Sequence, residues 1–186
     1  MISVTDLDSP SRKSSTKHTS RQFTIHTEDS TLARRSSVPR VLAPKSGAPN
    51  GHFVFANATV SLGSILSTYP GTLKLVTISC PDPHFKTRHH KRRIVQVQLV
   101  DSIINSLAPG GQVFLQSDVK EVAEDMRHQF NVRLDVSLVD ELQANPSVCD
   151  VDGWLLDNPL GIRSEREIHA LARGGQVFRK LYTKVS

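Results

Sequence analysis

The sequence has few aromatic residues, few cysteines and no long apolar run. One Trp, two Tyr and seven Phe among 186 residues leave the core to aliphatic side chains. Cys80 and Cys149 make neither a disulfide framework nor a Cys-x-x-Cys metal pair, which predicts an intracellular protein without distinguishing nucleus, cytoplasm or organelle. No stretch approaches the roughly 20 consecutive apolar residues of a membrane span. These absences argue against a disulfide-rich secreted protein, a membrane protein and a zinc finger.

The first fifty residues differ in composition from the rest. Of the formal charge of +5, residues 1–50 carry +4, from eight Lys or Arg against four Asp or Glu. The segment also has ten Ser and six Thr and no apolar periodicity. Such a composition cannot offset the entropy cost of folding, so residues 1–50 are expected to be a disordered tail. An organelle transit peptide is the alternative, but the four acidic residues argue against it.

Strands and helices are expected to alternate from residue 51 to residue 186. The apolar patterns predict strands at 52–56, 72–79, 112–117, 133–139 and 176–183, and helices at 59–67, 92–107, 119–130 and 164–171. Residues 108–111 are expected to end the second helix, and Asp118 with Glu121 forms a capping-box pattern at the third. This alternation predicts an α/β fold with a mostly parallel sheet and helices on both faces.

Three polar segments follow predicted strands, where ligands of such sheets bind. They are Asn57-Ala58, Cys80 to Lys86, and Asp118. Two prolines flank Asp82 and are expected to hold its carboxylate rigidly. Taken alone, Pro-Asp-Pro is better interpreted as a turn and Asp118 as a helix cap. Their joint position at one edge of the sheet favours a binding site.

A basic run follows Asp82 directly. Residues 84–93 contain five Lys or Arg and three His, which is most often a solvated face or a localisation signal. Beside a rigid carboxylate, the run also suits a polyanion backbone whose base enters the pocket. Phe85 could stack on that base, although pinning the loop to the core is the commoner role. Zinc binding by Cys80, His84, His89 and His90 is disfavoured, because the spacing is unfamiliar and the neighbours are cationic.

Several motifs together resemble the tRNA (guanine-N7)-methyltransferase family. They are Cys80-Pro81-Asp82-Pro83-His84-Phe85-Lys86, the run Arg88 to Arg93, Gln116-Ser117-Asp118, Asn57-Ala58, Ser164-Glu165-Arg166-Glu167 and Val177 to Tyr182. The resemblance extends from about His52 to Lys184. It makes residues 51–186 a partial methyltransferase domain with a Rossmann-like class I fold.

The resemblance implies transfer of a methyl group from S-adenosyl-L-methionine to N7 of a guanine in tRNA. By similarity, Asp82 is the catalytic aspartate, and Asn57, Ala58, Cys80 and Asp82 border the methyl donor. A further group is expected to contact the substrate: Lys86, Asp118, Ser164, Glu165, Arg166 and Glu167. The tRNA backbone is expected to meet Arg88, His89, His90, Lys91, Arg92 and Arg93, and no metal is implied.

The sequence departs from the family at the methyl-donor site. Complete members begin with a strand, a glycine-rich loop and a second strand that ends in an acidic residue, whereas no two of the ten glycines here form a Gly-x-Gly. The first half of the domain is therefore expected to be missing. The strand at 52–56 is then expected to lack its inner neighbours and to expose apolar surface.

Two functions of different classes follow. The first is an active tRNA methyltransferase, and the second is a non-catalytic remnant that binds tRNA or a partner without the methyl donor. Eukaryotic relatives work with a WD-repeat accessory subunit, whereas others act alone. The sequence favours neither arrangement.

Overall fold

A computed structural model describes residues 2–5, 22–26, 40–42, 51–68, 71–133, 136–138 and 147–185. The strands are β1 Ile2–Thr5, β2 Gln22–His26, β3 Arg40–Leu42, β4 Gly51–Phe55, β5 Leu73–Ser79, β6 Leu107–Ser117, β7 Val136–Leu138 and β8 Phe178–Lys184. The α-helices are α1 Ala58–Ser67, α2 Val97–Ser106, α3 Lys120–Asn131 and α4 Glu165–Ala172, and Thr87–Arg92 is a 3-10 helix. None of the described helices is both long enough and apolar enough to span a bilayer.

The strands form one mixed sheet. Across the described residues its order is β3-β4-β2-β1-β5-β6-β8-β7. The pairs β2–β4 and β5–β6 are parallel, and the other five pairs are antiparallel. The predicted α/β class is therefore correct, but the expectation of a mostly parallel sheet is wrong. Helix α2 gives β5 and β6 the crossover that a parallel pair needs, while β1 and β8 enter beside that pair in the opposite direction.

Strand β4 has neighbours on both sides, contrary to the expectation of an open edge. It pairs with β2 on one side and with β3 on the other. Both neighbours come from the first fifty residues, where the sequence patterns predicted no strand. The side chain of Ile2 on β1 is fully buried in the core. The rest of residues 1–50 lies outside the described residues, and for it the disordered tail stays a prediction.

The two faces of the central strands are covered differently. Val76 and Ile78 of β5 and Val113 and Leu115 of β6 belong to the main core, which helices α1, α2 and α3 complete. On the opposite face, Phe114 packs with Cys149 and Leu155 from the loop before α4. Helix α4 contacts that face through Glu167, which accepts hydrogen bonds from Gln116 of β6 and Arg179 of β8. Helices therefore lie on both faces of the sheet, as the sequence predicted.

Helix α2 and strand β6 show where the boundary predictions were inexact. The helix begins at Val97, five residues later than predicted, because Thr87–Arg92 forms a separate 3-10 helix. Residues 108–111 lie within an irregular start of β6, where the register against β5 shifts between Leu73 and Leu75. A Cβ on Gly111 would lie 2.7 Å from Leu107 Cγ, so this close approach requires glycine.

Candidate functional site

Three strands deliver the predicted polar segments to one edge of the sheet. Strand β6 is parallel to β5. Strand β4 also runs in this direction, since it is parallel to β2, and both β2 and β5 are antiparallel to β1. Their carboxyl ends therefore share an edge. At that edge lies a cavity of about 390 Å³, lined by Ser79, Cys80, Pro81, Asp82, Pro83, Asp118, Val119, Ser164, Glu165 and Arg166.

The Pro-Asp-Pro loop is held in an unusual backbone conformation. Cys80 and His84, at its two ends, both have a φ of +44°, in the left-handed region that non-glycine residues rarely adopt. Such a residue costs of order 1–3 kcal/mol, so the surrounding contacts must hold it. The backbone N–H of Cys80 donates to the carbonyl oxygen of Gln116 at 2.8 Å. The backbone N–H of His84 donates to Asp82 Oδ1 at 3.1 Å, which orients the Asp82 carboxylate.

Asp118 faces the same cavity and pairs with α4 instead of capping α3. Its Oδ2 accepts a hydrogen bond from Arg166 Nε at 2.8 Å, and its side chain is only 17% exposed. The predicted capping box is wrong: α3 has no side-chain cap, and the Val119 N–H donates to Ser117 Oγ. The Glu121 carboxylate contacts Arg93 instead. Asp118 and Arg166 therefore line the cavity as an ion pair.

Helix α4 presents its N-terminal end to the cavity and buries an acid beneath it. Ser164 caps the helix, since its Oγ accepts from the Glu167 N–H. Glu167 is fully buried, and its Oε1 accepts from Arg179 at 2.7 Å. Burial raises the pKa of Glu167, but hydrogen bonds from Arg179 and Asn158 outweigh it and lower that pKa overall. Glu167 lies below the cavity and does not line it, whereas Ser164, Glu165 and Arg166 do.

Burial and charge keep the Cys80 thiol protonated. Desolvation is the largest effect that raises its pKa, and the negative charge of Asp118 adds to it. A hydrogen bond from the Asp118 backbone and the charge of Arg166 act in the opposite direction. Since the thiolate is the nucleophilic form, this environment is unsuited to cysteine chemistry. Cys80 therefore contributes shape to the cavity.

Besides Glu167, the predicted donor and substrate residues Asn57, Ala58 and Lys86 also lie away from the lining of the cavity. Asn57 caps α1, with its Oδ1 accepting from the Thr59 N–H at 3.1 Å, and Ala58 is buried in the core. Their strand, β4, is three positions from β5, which corresponds to about 14 Å at a strand spacing of about 4.8 Å. Lys86 is exposed just before the 3-10 helix. Asp82 therefore shares a cavity with Asp118 and the start of α4, whereas Asn57 lies at the end of a strand three positions away.

The basic run forms the 3-10 helix next to the Pro-Asp-Pro loop. Arg88, Lys91 and Arg92 are exposed, while His89 and His90 are partly buried. Desolvation and the neighbouring cations, led by Arg92, lower the pKa of His89. His89 is consequently neutral near pH 7 and adds no charge to the surface there. Within residues 84–93, the exposed cations are therefore Lys86, Arg88, Lys91 and Arg92.

The structure contradicts two of the predictions for this segment. Arg93 is buried, and its guanidinium contacts Glu121 at 2.5 Å, so it cannot meet a tRNA backbone as predicted. Phe85 is 69% exposed, which contradicts the interpretation that it pins the loop to the core. Stacking on a base stays a prediction for Phe85. Within the described ranges, no group of three His, Cys, Asp or Glu could hold a metal ion.

The sequence patterns missed the polar contacts beneath the site. Gln116 Nε2 donates to Glu167 Oε2 at 3.3 Å, and Asn158 Nδ2 donates to the same oxygen at 3.0 Å. Arg179 faces Gln116 across the β6–β8 pair. Gln116 lies 51 residues from Glu167, and Asn158 and Arg179 lie 9 and 12 residues away outside α4, so no spacing within one helix predicts these contacts. Gln116 and Arg179 are buried polar residues of β6 and β8, and their polar character is the one signal that the sequence offered for these contacts.

Comparisons with known proteins show which proteins the chain is similar to. A family model described as a methyltransferase matches residues 33–179. Similar proteins named tRNA (guanine-N(7)-)-methyltransferase occur in Trichormus variabilis, with 45% identity over 75% of this chain and 61% of the relative, and in Synechocystis sp., with 42% identity over 73% and 59%. That of Synechococcus sp. (strain JA-3-3Ab) is 46% identical over 72% of this chain and 51% of the relative. The chain belongs to the tRNA (guanine-N7)-methyltransferase family.

Membership identifies the sheet as a Rossmann-like class I methyltransferase sheet. The chain spans about three fifths of the length of the first of these relatives. The family match begins at residue 33, within the segment that the composition assigned to a tail. Methyltransferases of this family generally take their methyl group from S-adenosyl-L-methionine.

The described residues fit one side of such a donor site. The volume of about 390 Å³ is within the range of small-ligand pockets, and Asp82, Asp118 and Glu165 are among the residues that line it. The other side departs from the family pattern. Beside β5 lies the short antiparallel β1, and no glycine-rich loop occurs among the described residues. The lining of the cavity therefore suits the region around the transferred methyl group and the substrate. It does not suit the whole methyl donor.

Proposed function

We propose that this chain recognises a guanine of tRNA in the cavity between Asp82 and Asp118, as the substrate side of a tRNA (guanine-N7)-methyltransferase. The observation that carries the proposal is the convergence of both carboxylates on one cavity, with exposed cations beside it. Carboxylates accept hydrogen bonds from the N1–H and N2–H edge of guanine, and cations contact phosphates. The family relationship supports the same substrate.

Methylation of guanine N7 requires that the guanine be oriented, and it does not require a general base. Guanine N7 has a lone pair and carries no proton, so it attacks the methyl carbon directly while the bond from that carbon to sulfur breaks. When bound, S-adenosyl-L-methionine would supply this methyl group from its sulfonium, and positive charge would develop on the purine as the group is transferred. The Asp82 carboxylate, held by His84 N–H and by the flanking prolines, stabilises that charge without reorganising.

Arg166 controls access to the second carboxylate. Its Nε occupies Asp118 Oδ2 at 2.8 Å, while its own side chain is 63% exposed and free to move outward. A guanine edge that displaces Arg166 therefore replaces one charged hydrogen bond with another. Arg166 would then lie close to the substrate phosphates, where a cation is favourable.

Lys86, Arg88, Lys91 and Arg92 are proposed to contact the tRNA backbone. All four are exposed, and the 3-10 helix places the last three within one short segment. His89 and His90 lie in the same segment. The lowered pKa of His89 means that it adds little charge to this surface at neutral pH. Arg93 is left out of this set because it is buried. No contact among the described residues favours a WD-repeat subunit, so the proposal does not include one.

A tRNA-binding remnant without catalysis is the second candidate, and the donor side of the site favours it. The sequence has no Gly-x-Gly, and β1 runs antiparallel beside β5. The two candidates share the substrate cavity and differ only in donor binding. We propose for this reason that Asn57, Ala58 and Cys80 border the donor in an active assembly, with Asp82 between donor and guanine.

Calorimetry with the full chain tests the proposal. Titration with S-adenosyl-L-methionine is compared with titration with unmodified tRNA at two salt concentrations. Salt-sensitive tRNA binding with micromolar donor binding supports the enzyme, and tRNA binding without donor binding supports the remnant. Absence of salt-sensitive tRNA binding would contradict both the enzyme and the tRNA-binding remnant.

A further inference from the structure

We propose that Arg93 is a positioning residue that braces the Pro-Asp-Pro loop against helix α3, and so fixes Asp82 relative to Asp118. The inference deepens the proposed function and rests on it for its catalytic meaning. Arg93 is the last residue of the basic run and the only one of its five Lys or Arg that is buried. Its burial separates it from the cations that face solvent.

The guanidinium of Arg93 joins two elements that are distant in sequence. Its Nε donates to the carbonyl oxygen of Pro83 at 3.0 Å. Its two terminal nitrogens reach α3, one contacting Glu121 Oε1 at 2.5 Å and the other Asp125 Oδ2 at 3.4 Å. Glu121 and Asp125 are four residues apart, so they lie on the same face of the helix. A fourth contact, of 3.1 Å to His90 Nε2, ties the 3-10 helix to the same guanidinium.

The loop needs such a brace because its backbone is strained. Cys80 and His84 both adopt left-handed conformations, which relax unless the surroundings hold them. The Cys80 N–H is held by Gln116 and the His84 N–H by Asp82 itself. The Arg93 bond to the Pro83 carbonyl is the contact that ties the middle of the loop to a rigid helix.

The same brace determines the distance across the cavity. Asp82 immediately precedes Pro83, and Asp118 lies two residues before α3 begins at Lys120. A path of covalent bonds and charged hydrogen bonds therefore runs from Asp82 through Arg93 and Glu121 to Asp118. Catalytic geometry is sensitive to displacements of about 1 Å, so a loosened brace should lower the rate even when the ligand still binds.

Arginine suits this position better than lysine. The planar guanidinium donates in three directions at once, whereas an ammonium is a point charge on a flexible stem. Lysine at position 93 would keep the attraction to Glu121 and Asp125 and lose the simultaneous bond to Pro83. The variant Arg93→Lys therefore weakens the brace, because it retains the charge and loses the bond to Pro83.

The rate at which iodoacetamide alkylates Cys80 reports how often the Pro-Asp-Pro loop opens, and it requires no tRNA. Cys80 lines the cavity at the start of the loop, and Cys149 is buried elsewhere, so peptide mass spectrometry follows each thiol separately. In Arg93→Gln the Cys80 rate is expected to rise about tenfold, the effect of a lost charged hydrogen bond on local opening. The Cys149 rate should stay unchanged, because it reports global unfolding.

Arg92→Gln is the matched control. Arg92 is the exposed neighbour, so its substitution removes the same charge without touching the loop. We expect it to weaken tRNA binding and leave the Cys80 rate unaltered. Arg93→Lys is expected to fall between the wild type and Arg93→Gln in Cys80 reactivity. Where tRNA methylation is measured, Arg93→Gln should lower kcat with KM unchanged, and Arg92→Gln should raise KM.

The outcomes separate this inference from the proposed function. An unchanged Cys80 rate in Arg93→Gln overturns the brace, and so does an equal rise for Cys80 and Cys149, which means global destabilisation. Unchanged tRNA affinity in Arg92→Gln instead counts against the proposed tRNA surface. A selective rise at Cys80 supports the brace whether or not tRNA binds.

Discussion

Arg179 and Glu167 form a buried ion pair, with Nη2 2.7 Å from Oε1, beneath the residues that line the cavity. Gln116 and Asn158 donate to the other carboxylate oxygen. The pair links β8 to α4, and α4 carries Ser164 and Arg166 into the cavity. The position of one cavity wall therefore depends on a contact outside the cavity.

Glu167→Gln is expected to destabilise the fold. The substitution leaves Arg179 buried without its counter-charge, and breaking a buried pair in this way costs about 3–5 kcal/mol. Urea unfolding measures the free energy of unfolding. The control is Glu165→Gln, an exposed change on the same helix, which should stay within about 0.5 kcal/mol of the wild type. Equal effects of the two variants would contradict the buried pair.

Acid should weaken the same contact. The pKa of Glu167 is lowered in the fold, mainly because hydrogen bonds from Arg179 and Asn158 outweigh the desolvation that raises it. A lowered folded-state pKa gives a stabilisation that is complete above the unfolded value near 4.5 and lost as pH falls through the folded value. The loss of stability of the wild type below pH 4.5 should therefore be smaller in Glu167→Gln. Identical pH profiles would contradict this assignment.

Asp82→Asn tests the proposed chemistry. The amide keeps the size of the side chain and removes the charge that would stabilise the methylated purine. Methylation of tRNA is expected to slow about 10²–10³-fold, or about 3–4 kcal/mol, as for one well-placed electrostatic group. The control Asp157→Asn alters an exposed acid in the loop before α4 and should keep the wild-type rate. An unaltered rate in Asp82→Asn would remove Asp82 from the mechanism.

The salt dependence of tRNA binding should report the four exposed cations Lys86, Arg88, Lys91 and Arg92. Each phosphate contact contributes about −0.9 to the slope of log K against log salt on a duplex, so the full surface should give a slope near −3.6. Arg88→Gln should make the slope shallower by about one contact. Arg173→Gln, at the exposed end of α4, should leave it unaltered. A slope near zero would rule out the basic surface.

Asp118→Asn should make the Cys80 thiol more reactive. Desolvation raises the pKa of Cys80 most, and the Asp118 charge raises it further, so neutralising Asp118 lowers that pKa. The thiolate fraction at pH 8 and the alkylation rate should both rise. Glu165→Gln serves as the control, because Glu165 is absent from the interactions that shift Cys80. A slower rate in Asp118→Asn would mean that the charge of Asp118 does not act on the thiol.

The sequence by itself determined the α/β class, the strands from residue 73 to residue 117 and the convergence of Asp82 with Asp118. These depend on local information: apolar periodicity, the two prolines around Asp82, and the rule that parallel strands share an edge. Strand β5 and the main part of β6 lie where the patterns predicted them. The motifs also identified the family, because they are short and contiguous.

Only the tertiary structure decided which polar residues face the cavity and which support it. Arg92 and Arg93 are adjacent and chemically alike, yet one is exposed and the other is buried against α3. Glu121 lies 28 residues from Arg93 and Gln116 lies 51 residues from Glu167, so no spacing within one element predicts these contacts. The strands β2 and β3 within residues 1–50 were missed for a similar reason, because each is defined by its pairing with β4. Long-range packing assigns these roles.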